Sequence, residues 1–307
     1  MSQNSSQTAK PHKTRIGGQA LIEGIMMRGV DKYALAVRKK DGTIHLEERP
    51  DKALTSWYNK VPLIRGVCNF IATLVLGYRC MMESAEISGA FDDEDEKPMS
   101  GAATTAFSAL AGVLAVFLCL ILFMVIPTAA TGLIDRFLPL GGWRVVVESA
   151  IKIAVFLAYM ALVSLMSDIK RVFRYHGAEH KTIACYEHRQ PLTVENVRRH
   201  SPYHPRCGTS FLLIVILVSI LVNAFVSWRS VWLRALIKVL LLPLVMGISY
   251  EIIRYAGGHD NPVSRAISKP GLWLQRLTVK DPDDSMIEVA IAAMQAVLPK
   301  EGQDDRW

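Results

Sequence analysis

The fold is decided by residues 101–134, which read GAATTAFSALAGVLAVFLCLILFMVIPTAATGLI and contain no charged side chain. A second uncharged run covers residues 207–228. A helix needs about 20 predominantly apolar residues to cross a bilayer, and both runs exceed that length. The sequence therefore predicts an α-helical polytopic membrane protein.

The composition of the 307 residues agrees with a membrane protein. Apolar residues of the AVILMFWYC class make up 51% and charged residues 21%, with a mean hydropathy of +0.24. Because the apolar residues are gathered into blocks, intrinsic disorder, collagen and a small disulfide scaffold are excluded. The net charge of +7 is expected of cytoplasmic segments that meet anionic headgroups. Since no nucleic-acid motif accompanies the charge, we expect the lipid bilayer, and no nucleic acid, as a partner.

Four transmembrane helices are expected from the positions of the apolar blocks. Their approximate ranges are residues 102–126, which Pro127 ends, 145–166, 209–228 and 231–253. Lys and Arg number fourteen before the first helix, eight in residues 167–206 and seven from Arg254 onward. Basic residues collect on the cytoplasmic side, so both termini and the central loop are predicted to be cytoplasmic. Residues 1–15 are polar and show no apolar core of a secretory signal.

Residues 61–82 are an ambiguous segment, because they are apolar but carry Arg65, Asn69 and Arg79. A full crossing here would place the N-terminus outside, against the charge pattern. We therefore interpret the segment as an interfacial amphipathic helix. A re-entrant helix packed among the spans is the alternative.

The segments outside the membrane are predicted to contain a small β-structure and an amphipathic helix. Residues 33–49 alternate apolar and polar side chains around an Asp-Gly turn, which is typical of a β-hairpin. Residues 16–29 would supply the further strand that an isolated hairpin needs. Residues 282–298 are predicted to form a helix that starts at Asp283 or Asp284. Its apolar stripe is expected to dock on the cytoplasmic domain, with a site for a protein partner as the alternative. The stripe consists of Ile287, Ile291, Met294 and Leu298.

These elements divide the chain into eight parts. They are a disordered tail (1–14), an N-terminal cytoplasmic β-containing domain (15–60), the interfacial or re-entrant helix (61–82), an acidic linker (83–100), the first two transmembrane helices (101–166), a cytoplasmic loop with histidine and cysteine motifs (167–207), the last two transmembrane helices (208–254) and a cytoplasmic C-terminal segment with the amphipathic helix (255–307).

The motif that could carry chemistry follows the second span and reads His176-Gly177-Ala178-Glu179-His180, an HxxEH pattern. Residues four apart lie on one face of a helix, so both imidazoles can reach one cation while Glu179 borders the same face. This arrangement is typical of a zinc site with an adjacent carboxylate base, the inverted form of HExxH. We therefore predict His176 and His180 as metal ligands and Glu179 as the catalytic base.

A catalytic zinc usually has three protein ligands and an open position for water, so a further ligand is needed. The candidates on the same membrane face are His204, Cys207, Glu251 and His259. Adding His204 and Cys207 together would instead close a tetrahedral structural site. Glu251, at the end of an apolar helix, needs a partner, and Arg254 offers a plain ion pair. A catalytic site, a structural site and ordinary interfacial histidines all stay open as interpretations.

Several segments resemble the YqhQ-like family of bacterial membrane proteins. They are GGQALIEGIMMRG, PLIRGVCNF, YHGAEHKTIACYE, HPRCGTSFLL and QRLTVKDPDDSMIEVAIAAM, and the similarity runs over about residues 15–298. The resemblance implies a multi-pass protein of the bacterial cytoplasmic (inner) membrane. It also implies a metal-dependent enzyme whose site includes His176, Glu179 and His180, with His204 and Cys207 as further candidates. No reaction or substrate comes with it.

The leading functional hypothesis is a metal-dependent hydrolase at the cytoplasmic face of the membrane. Glu179 would activate a water bound to zinc or to another divalent metal. A site at membrane level favours a peptide, a membrane protein or a lipid-linked substrate. The alternative is a non-enzymatic membrane scaffold or assembly factor with a structural metal site. A weaker alternative is a transporter or channel, formed by an oligomer with Glu251 in its pore.

Overall fold

The computed structural model describes residues 12–90, 101–225, 231–300 and 302–306. This part of the chain is mostly helical and carries one small antiparallel sheet near its start. The strands are β1 (Gly17–Leu21), β2 (Gly24–Arg28), β3 (Lys32–Arg38) and β4 (Ile44–Pro50). The helices are α1 (Ile64–Ser88), α2 (Gly101–Leu120), α3 (Ile126–Phe137), α4 (Arg144–Val163), α5 (Ser167–Glu187), α6 (Val194–Arg198), α7 (Gly208–Asn223), α8 (Val231–Leu240), α9 (Leu242–Gly258), α10 (Pro262–Thr278) and α11 (Asp284–Val297).

The sheet is an antiparallel meander with the strand order β1-β2-β3-β4. The predicted hairpin over residues 33–49 is confirmed as β3 and β4, and its turn contains Gly42 at a φ of 84°, a conformation that glycine adopts without steric cost. The predicted additional strand is confirmed as a second hairpin, β1 and β2. The N-terminal segment is therefore a four-stranded sheet.

Both faces of the sheet are covered. Side chains of a strand alternate between faces, and β3 shows this directly. Tyr33, Leu35 and Val37 pack towards α1, whereas Ala34 and Ala36 belong to the core that contains α5 and α11. The small alanines let α11 approach the sheet closely. The predicted soluble segments therefore form one layered unit, assembled from residues far apart in the sequence.

The C-terminal amphipathic helix is confirmed as α11. Its N-cap is Asp283, whose side chain accepts a hydrogen bond from the Met286 backbone N–H at 3.1 Å. The predicted docking is also confirmed, but the buried surface is wider than the predicted stripe, because α11 lies between the sheet and α5. Its fully buried side chains are Met286, Ile287, Val289, Ala290, Ala293, Met294 and Val297.

Helix α1 contains the ambiguous apolar segment and continues to Ser88. Residues 83–88, the start of the predicted acidic linker, are therefore helical. In this last part of α1, Ser84, Ala85 and Ser88 are buried. Residues 91–100 lie outside the described residues. The face of α1 that points away from the sheet is apolar and exposed, as expected of an interfacial helix; it contains Ile71, Leu74, Val75 and Tyr78.

Two helical stretches of the described chain are long and apolar enough to cross a membrane, Leu110–Phe137 and Gly141–Val163. The prediction that Pro127 ends the first of them is wrong. A π-helical turn, Ile121–Val125, precedes α3, and Pro127 lies in the first turn of that helix. A missing backbone N–H is tolerated in a first turn, so the helical stretch continues to Phe137.

The last two predicted spans are shorter than expected. Helix α7 has 16 residues, and residues 226–230, which end the predicted span, lie outside the described residues. The predicted span over residues 231–253 is interrupted at Leu241, just before Pro243 in the first turn of α9. Proline cannot donate a helix-interior hydrogen bond. Among the described helices, two rather than four therefore meet the length criterion for a transmembrane helix.

The two ends of the described chain meet. Of the predicted disordered tail, residues 1–11 lie outside the described residues, but residues 12–14 are ordered. Thr14 is fully buried, and its hydroxyl donates to Asp305 at 2.6 Å. His12 contacts the same carboxylate at 2.8 Å. The C-terminal segment also contains α10, a helix that the sequence reading did not predict, with Asn261 as its N-cap.

Candidate metal centre

The HxxEH motif lies on α5, as its spacing predicted. His176 and His180 are one turn apart, and their ring centroids lie 4.4 Å from each other. His180 is 2% exposed. The two imidazoles therefore share one face of the helix and point into the same small region.

Cys207 completes this group from another part of the chain. It is the N-cap residue of α7, and its sulfur accepts a hydrogen bond from the Thr209 backbone N–H at 3.4 Å. The distance from its Sγ to His176 Nε2 is 3.1 Å. One ligand atom from each of His176, His180 and Cys207 lies within 4.8 Å of the others. In a tetrahedral zinc site, nitrogen and sulfur ligands are roughly 3.6 Å apart, so the spacing suits an ion.

Both imidazoles are held by backbone carbonyls at their second nitrogen. His176 Nδ1 contacts the Thr278 carbonyl oxygen at 3.0 Å, and His180 Nδ1 contacts the Pro202 carbonyl oxygen at 2.6 Å. A carbonyl oxygen only accepts, so each Nδ1 carries the proton and each Nε2 is left for the cluster. Metal-binding histidines are typically oriented in this way.

His176 and Cys207 shift each other's pKa. Burial disfavours the charged form of His176, but Cys207 and Glu179 outweigh it and raise the pKa of the imidazole to about 9. Burial likewise disfavours the Cys207 thiolate, but the two histidines hold the pKa of the thiol well below its usual value. Thiolate is the form of cysteine that binds metals.

Glu179 borders the cluster and is 5% exposed. Its carboxylate lies against β1, next to the Gly18 backbone. A Cβ on Gly18 would lie 3.0 Å from Glu179 Cδ, so this position needs glycine for the carboxylate to come close. Burial raises the pKa of Glu179 against the opposing effect of the two histidines.

His204, a predicted ligand, lies beside the cluster but is engaged elsewhere. Its ring centroid is 5.7 Å from that of His180. His204 Nε2 contacts Glu187 at 3.2 Å, and His204 Nδ1 accepts from the Arg206 backbone N–H at 3.4 Å. Gln275 holds its backbone through two hydrogen bonds, of 2.9 Å and 2.7 Å. Both ring nitrogens are therefore occupied by protein partners.

The structure does not bring Glu251, the other predicted ligand, to the cluster. Its carboxylate accepts hydrogen bonds from Arg65, one of them at 2.7 Å, and from the Leu63 backbone N–H at 3.3 Å. Glu251 therefore forms an ion pair, as one interpretation of the sequence expected. Its hydrogen-bonded partner is Arg65 on α1, and Arg254 contributes only a charge effect. His259 is exposed and stacks on Tyr255.

The sequence reading missed the groups that orient the site. Thr278 and Pro202 act through backbone carbonyls, which every residue has, so no sequence signal could identify them. Gln275 lies on the unpredicted helix α10. Gly18 lies in the segment predicted as a further strand, and its contact with Glu179 spans more than 150 residues of sequence.

Two similarities identify the family of this chain. The model of the family described as "Protein of unknown function (DUF1385)" matches residues 61–300. The uncharacterized protein YqhQ of Bacillus subtilis (strain 168) is 36% identical over 299 residues, which cover 94% of this chain and 94% of that protein. No solved structure matches the chain. The YqhQ-like resemblance of the sequence is confirmed, and the chain belongs to the DUF1385 family of proteins of unknown function.

Proposed function

We propose that this protein is a metal-dependent hydrolase at the cytoplasmic face of the membrane. The observation that carries the proposal is the convergence of His176 Nε2, His180 and Cys207 Sγ, with both imidazoles held at Nδ1 by backbone carbonyls. Glu179 is buried beside them. Exposed histidines of this chain, His188 and His259, also contact backbone carbonyls at Nδ1, so it is the convergence on Cys207 that sets His176 and His180 apart.

Zinc is the metal that this set of ligands suits best. Two imidazoles and one thiolate are typical zinc ligands, although other divalent metals also bind them. Three protein ligands leave a fourth position for water or substrate, which is typical of catalytic sites. His204 would be the natural fourth ligand of a closed site, but its nitrogens are paired with Glu187 and Arg206.

Glu179 is proposed as the general base. A bound zinc would polarise a carbonyl or phosphoryl oxygen and lower the pKa of its water to about 7. His176, His180 and Cys207 would hold the metal, and the buried Glu179 carboxylate beside them would be the group that accepts a proton. Glu179 is buried next to the Gly18 backbone of β1.

We further propose four membrane crossings, with both termini and the region around α5 on the cytoplasmic side. Contacts at one end of the helical part support this topology. Lys238 on α8 pairs with Glu148 near the start of α4, and Asn223 at the end of α7 lies beside them. Cys207, at the start of α7, lies near α5 at the opposite end. The chain would thus cross again in α7 and return in α8 and α9.

A structural metal site in a membrane scaffold is the second candidate. It is favoured by the fact that the cluster connects α5, the start of α7 and the C-terminal end of α10. A metal there would hold these three segments together without any reaction. The two candidates differ in whether the fourth position is open.

The first test is metal content by mass spectrometry on the full-length protein in detergent. About one zinc per chain is expected in the wild type, as for a single site. The His176→Ala and Cys207→Ser variants should lose it, and Glu179→Gln should keep it. Glu251→Gln is the matched control, because that carboxylate is paired with Arg65. A wild type without metal after zinc is resupplied would refute the proposal.

The second test separates a hydrolase from a structural site. The protein is loaded with cobalt, and its visible spectrum is recorded while acetohydroxamate is added. An open position predicts a spectral change on binding, retained in Glu179→Gln. A closed site of four protein ligands would show no change, and the scaffold would then be the better account.

A further inference from the structure

An apolar cavity lies between α1, α7 and α9. Its volume is about 200 Å³. Each helix contributes an apolar side chain to its wall, Phe70 from α1, Phe211 from α7 and Ile253 from α9. The two phenyl rings contact each other, with centroids 5.7 Å apart, and both are only half-buried. The packed helices thus leave an apolar space open beside these rings.

The polar side chains in the wall of this cavity have partners within the protein. Arg206, the one charged side chain among the described lining residues, pairs with Glu187. Asn69 Nδ2 donates to the Tyr250 hydroxyl at 3.4 Å. The cavity therefore offers apolar contacts to a ligand, and a polar group buried there without a partner would weaken binding. An apolar ligand is favoured.

The cavity adjoins the candidate metal centre. Cys207 lines it, and the sulfur of Cys207 lies 3.1 Å from His176 Nε2. Gly208, the first residue of α7, lines it too. A Cβ at Gly208 would meet nothing within 4 Å, so there is free space directly beside the metal ligand. A molecule in the cavity would therefore lie next to the metal centre.

The opening of the cavity lies beside a surface suited to lipid chains. Thr73 on α1 lines the cavity and is exposed. On the same helix, Ile71 and Val75 are 54% and 57% exposed. Apolar side chains exposed on an interfacial helix contact the acyl chains of the bilayer. The chain of a membrane lipid is therefore the apolar group nearest to the opening.

The volume of the cavity sets the length of chain that it can hold. A cavity of roughly 150 Å³ lined by apolar side chains binds a benzene ring. On the same scale, the volume beside Phe70 and Phe211 accommodates an alkyl chain of about eight carbon atoms. Each methylene that is buried on binding should strengthen binding about fourfold.

From this geometry we infer that the cavity binds the alkyl chain of a lipid-linked substrate, and that Phe70, Phe211 and Gly208 determine which chains it accepts. The inference rests on the proposed function, because it names the substrate class of that metal centre. Binding of the chain itself needs only the apolar wall. The inference and the proposed function can therefore fail separately.

The first experiment measures hydroxamate binding to the cobalt-loaded full-length protein in lipid nanodiscs, by its visible spectrum. The unbranched probes are acetohydroxamate, hexanohydroxamate and octanohydroxamate, and leucine hydroxamate represents a peptide side chain. The variants are Phe70→Ala, which removes part of the wall, and Gly208→Leu, which fills the free space. Leu74→Ala is the matched control on α1, outside the cavity wall. Gly112→Leu is the matched control on α2, where a Cβ also meets nothing within 4 Å.

Because alkyl chains also enter the bilayer, each result is the ratio of variant to wild-type affinity for one probe. Phe70→Ala and Gly208→Leu should weaken octanohydroxamate binding about tenfold, as expected when one or two methylenes lose their apolar contacts. Both should bind acetohydroxamate as the wild type does, and both controls should bind either probe unchanged. Equal weakening of the two probes, or no weakening of octanohydroxamate, overturns the inference. A larger loss for leucine hydroxamate than for hexanohydroxamate in Phe70→Ala would mean a peptide substrate and also overturns it.

The second experiment does not depend on a metal. A diazirine-bearing octanol, which has no group that binds metals, is photo-crosslinked to the full-length protein in nanodiscs, and the modified residues are located by mass spectrometry. Crosslinks are expected at Phe70, Phe211 or Ile253. They should decrease about tenfold in Gly208→Leu and persist in Gly112→Leu. Crosslinks in the cavity without any hydroxamate binding would refute the proposed function alone. Crosslinks that are absent from the cavity, or unchanged in Gly208→Leu, overturn the inference.

Discussion

Substituting Gly177 by alanine is expected to weaken metal binding, although Gly177 is not a ligand. A Cβ at this position would lie 2.0 Å from the Lys280 carbonyl oxygen. Real Cβ atoms do not come closer than 3.0 Å to such an atom, so α5 and the segment around Lys280 must separate by 1.0 Å or more, the difference of the two distances. Because the obstacle is backbone, no side-chain rotation removes it.

This separation would also displace the backbone carbonyl that orients His176. Lys280 is two residues from Thr278, whose carbonyl oxygen accepts from His176 Nδ1 at 3.0 Å. An increase of 1.0 Å would bring that distance to 4.0 Å, beyond hydrogen-bond range. Loss of a partner that orients a metal ligand typically lowers metal affinity by about 10–100-fold. Overpacking should also cost about 1–3 kcal/mol of stability.

The assay is zinc affinity by competition with a fluorescent chelator, beside the midpoint of thermal unfolding. Gly208→Ala is the first control, because a Cβ there, next to Cys207, meets nothing within 4 Å. Gly24→Ala is the second, because its Cβ would lie 2.6 Å from the Ala36 carbonyl oxygen in the sheet; it should lose stability and keep zinc affinity. Wild-type affinity in Gly177→Ala, or an equal loss in Gly24→Ala, would refute the reasoning.

Three further substitutions test how the fold outside α2 to α4 is held together. Gln275→Leu would leave the buried backbone N–H and carbonyl of His204 unpaired, and each unpaired group costs about 1–3 kcal/mol, visible as a lower thermal midpoint. Asp283→Ala removes the α11 cap on Met286 and should cost about 1 kcal/mol, with no change in zinc affinity. Burial would raise the pKa of Asp305, but the hydrogen bonds it accepts outweigh this and lower the pKa below its ordinary 3.8. Its contribution to stability is therefore complete above that value and lost as the pH falls through the lower folded pKa; thermal midpoints should show this loss in the wild type and not in Asp305→Asn.

Local patterns predicted the local elements of the fold. The Asp-Gly turn, the alternation in β3 and the cap at Asp283 each act within a few residues, so the sequence predicted them correctly. The layering of α1 and α11 on opposite faces of the sheet depends on pairings between distant segments, which periodicity does not encode. Pro127 was misread because a π-helical turn precedes α3 and Pro127 lies in the first turn of that helix, where a missing backbone N–H is tolerated.

The sequence predicted the two histidines of the site but not which residue joins them. The spacing of His176 and His180 on one helix predicted that both would face one point, and Cys207 was among the candidates for the next ligand. Nothing in the sequence favoured Cys207 over His204, since both lie within a few residues before the same apolar run. The difference comes from Glu187, which engages the imidazole of His204.

The most direct test of the account is X-ray absorption at the metal edge of the zinc-loaded protein. Two histidines, one cysteine and an open position predict one sulfur at about 2.3 Å and nitrogen or oxygen neighbours at about 2.0–2.1 Å. The sulfur contribution should disappear in Cys207→Ser. A shell of nitrogen and oxygen alone in the wild type, or a sulfur contribution that survives in Cys207→Ser, would contradict the account.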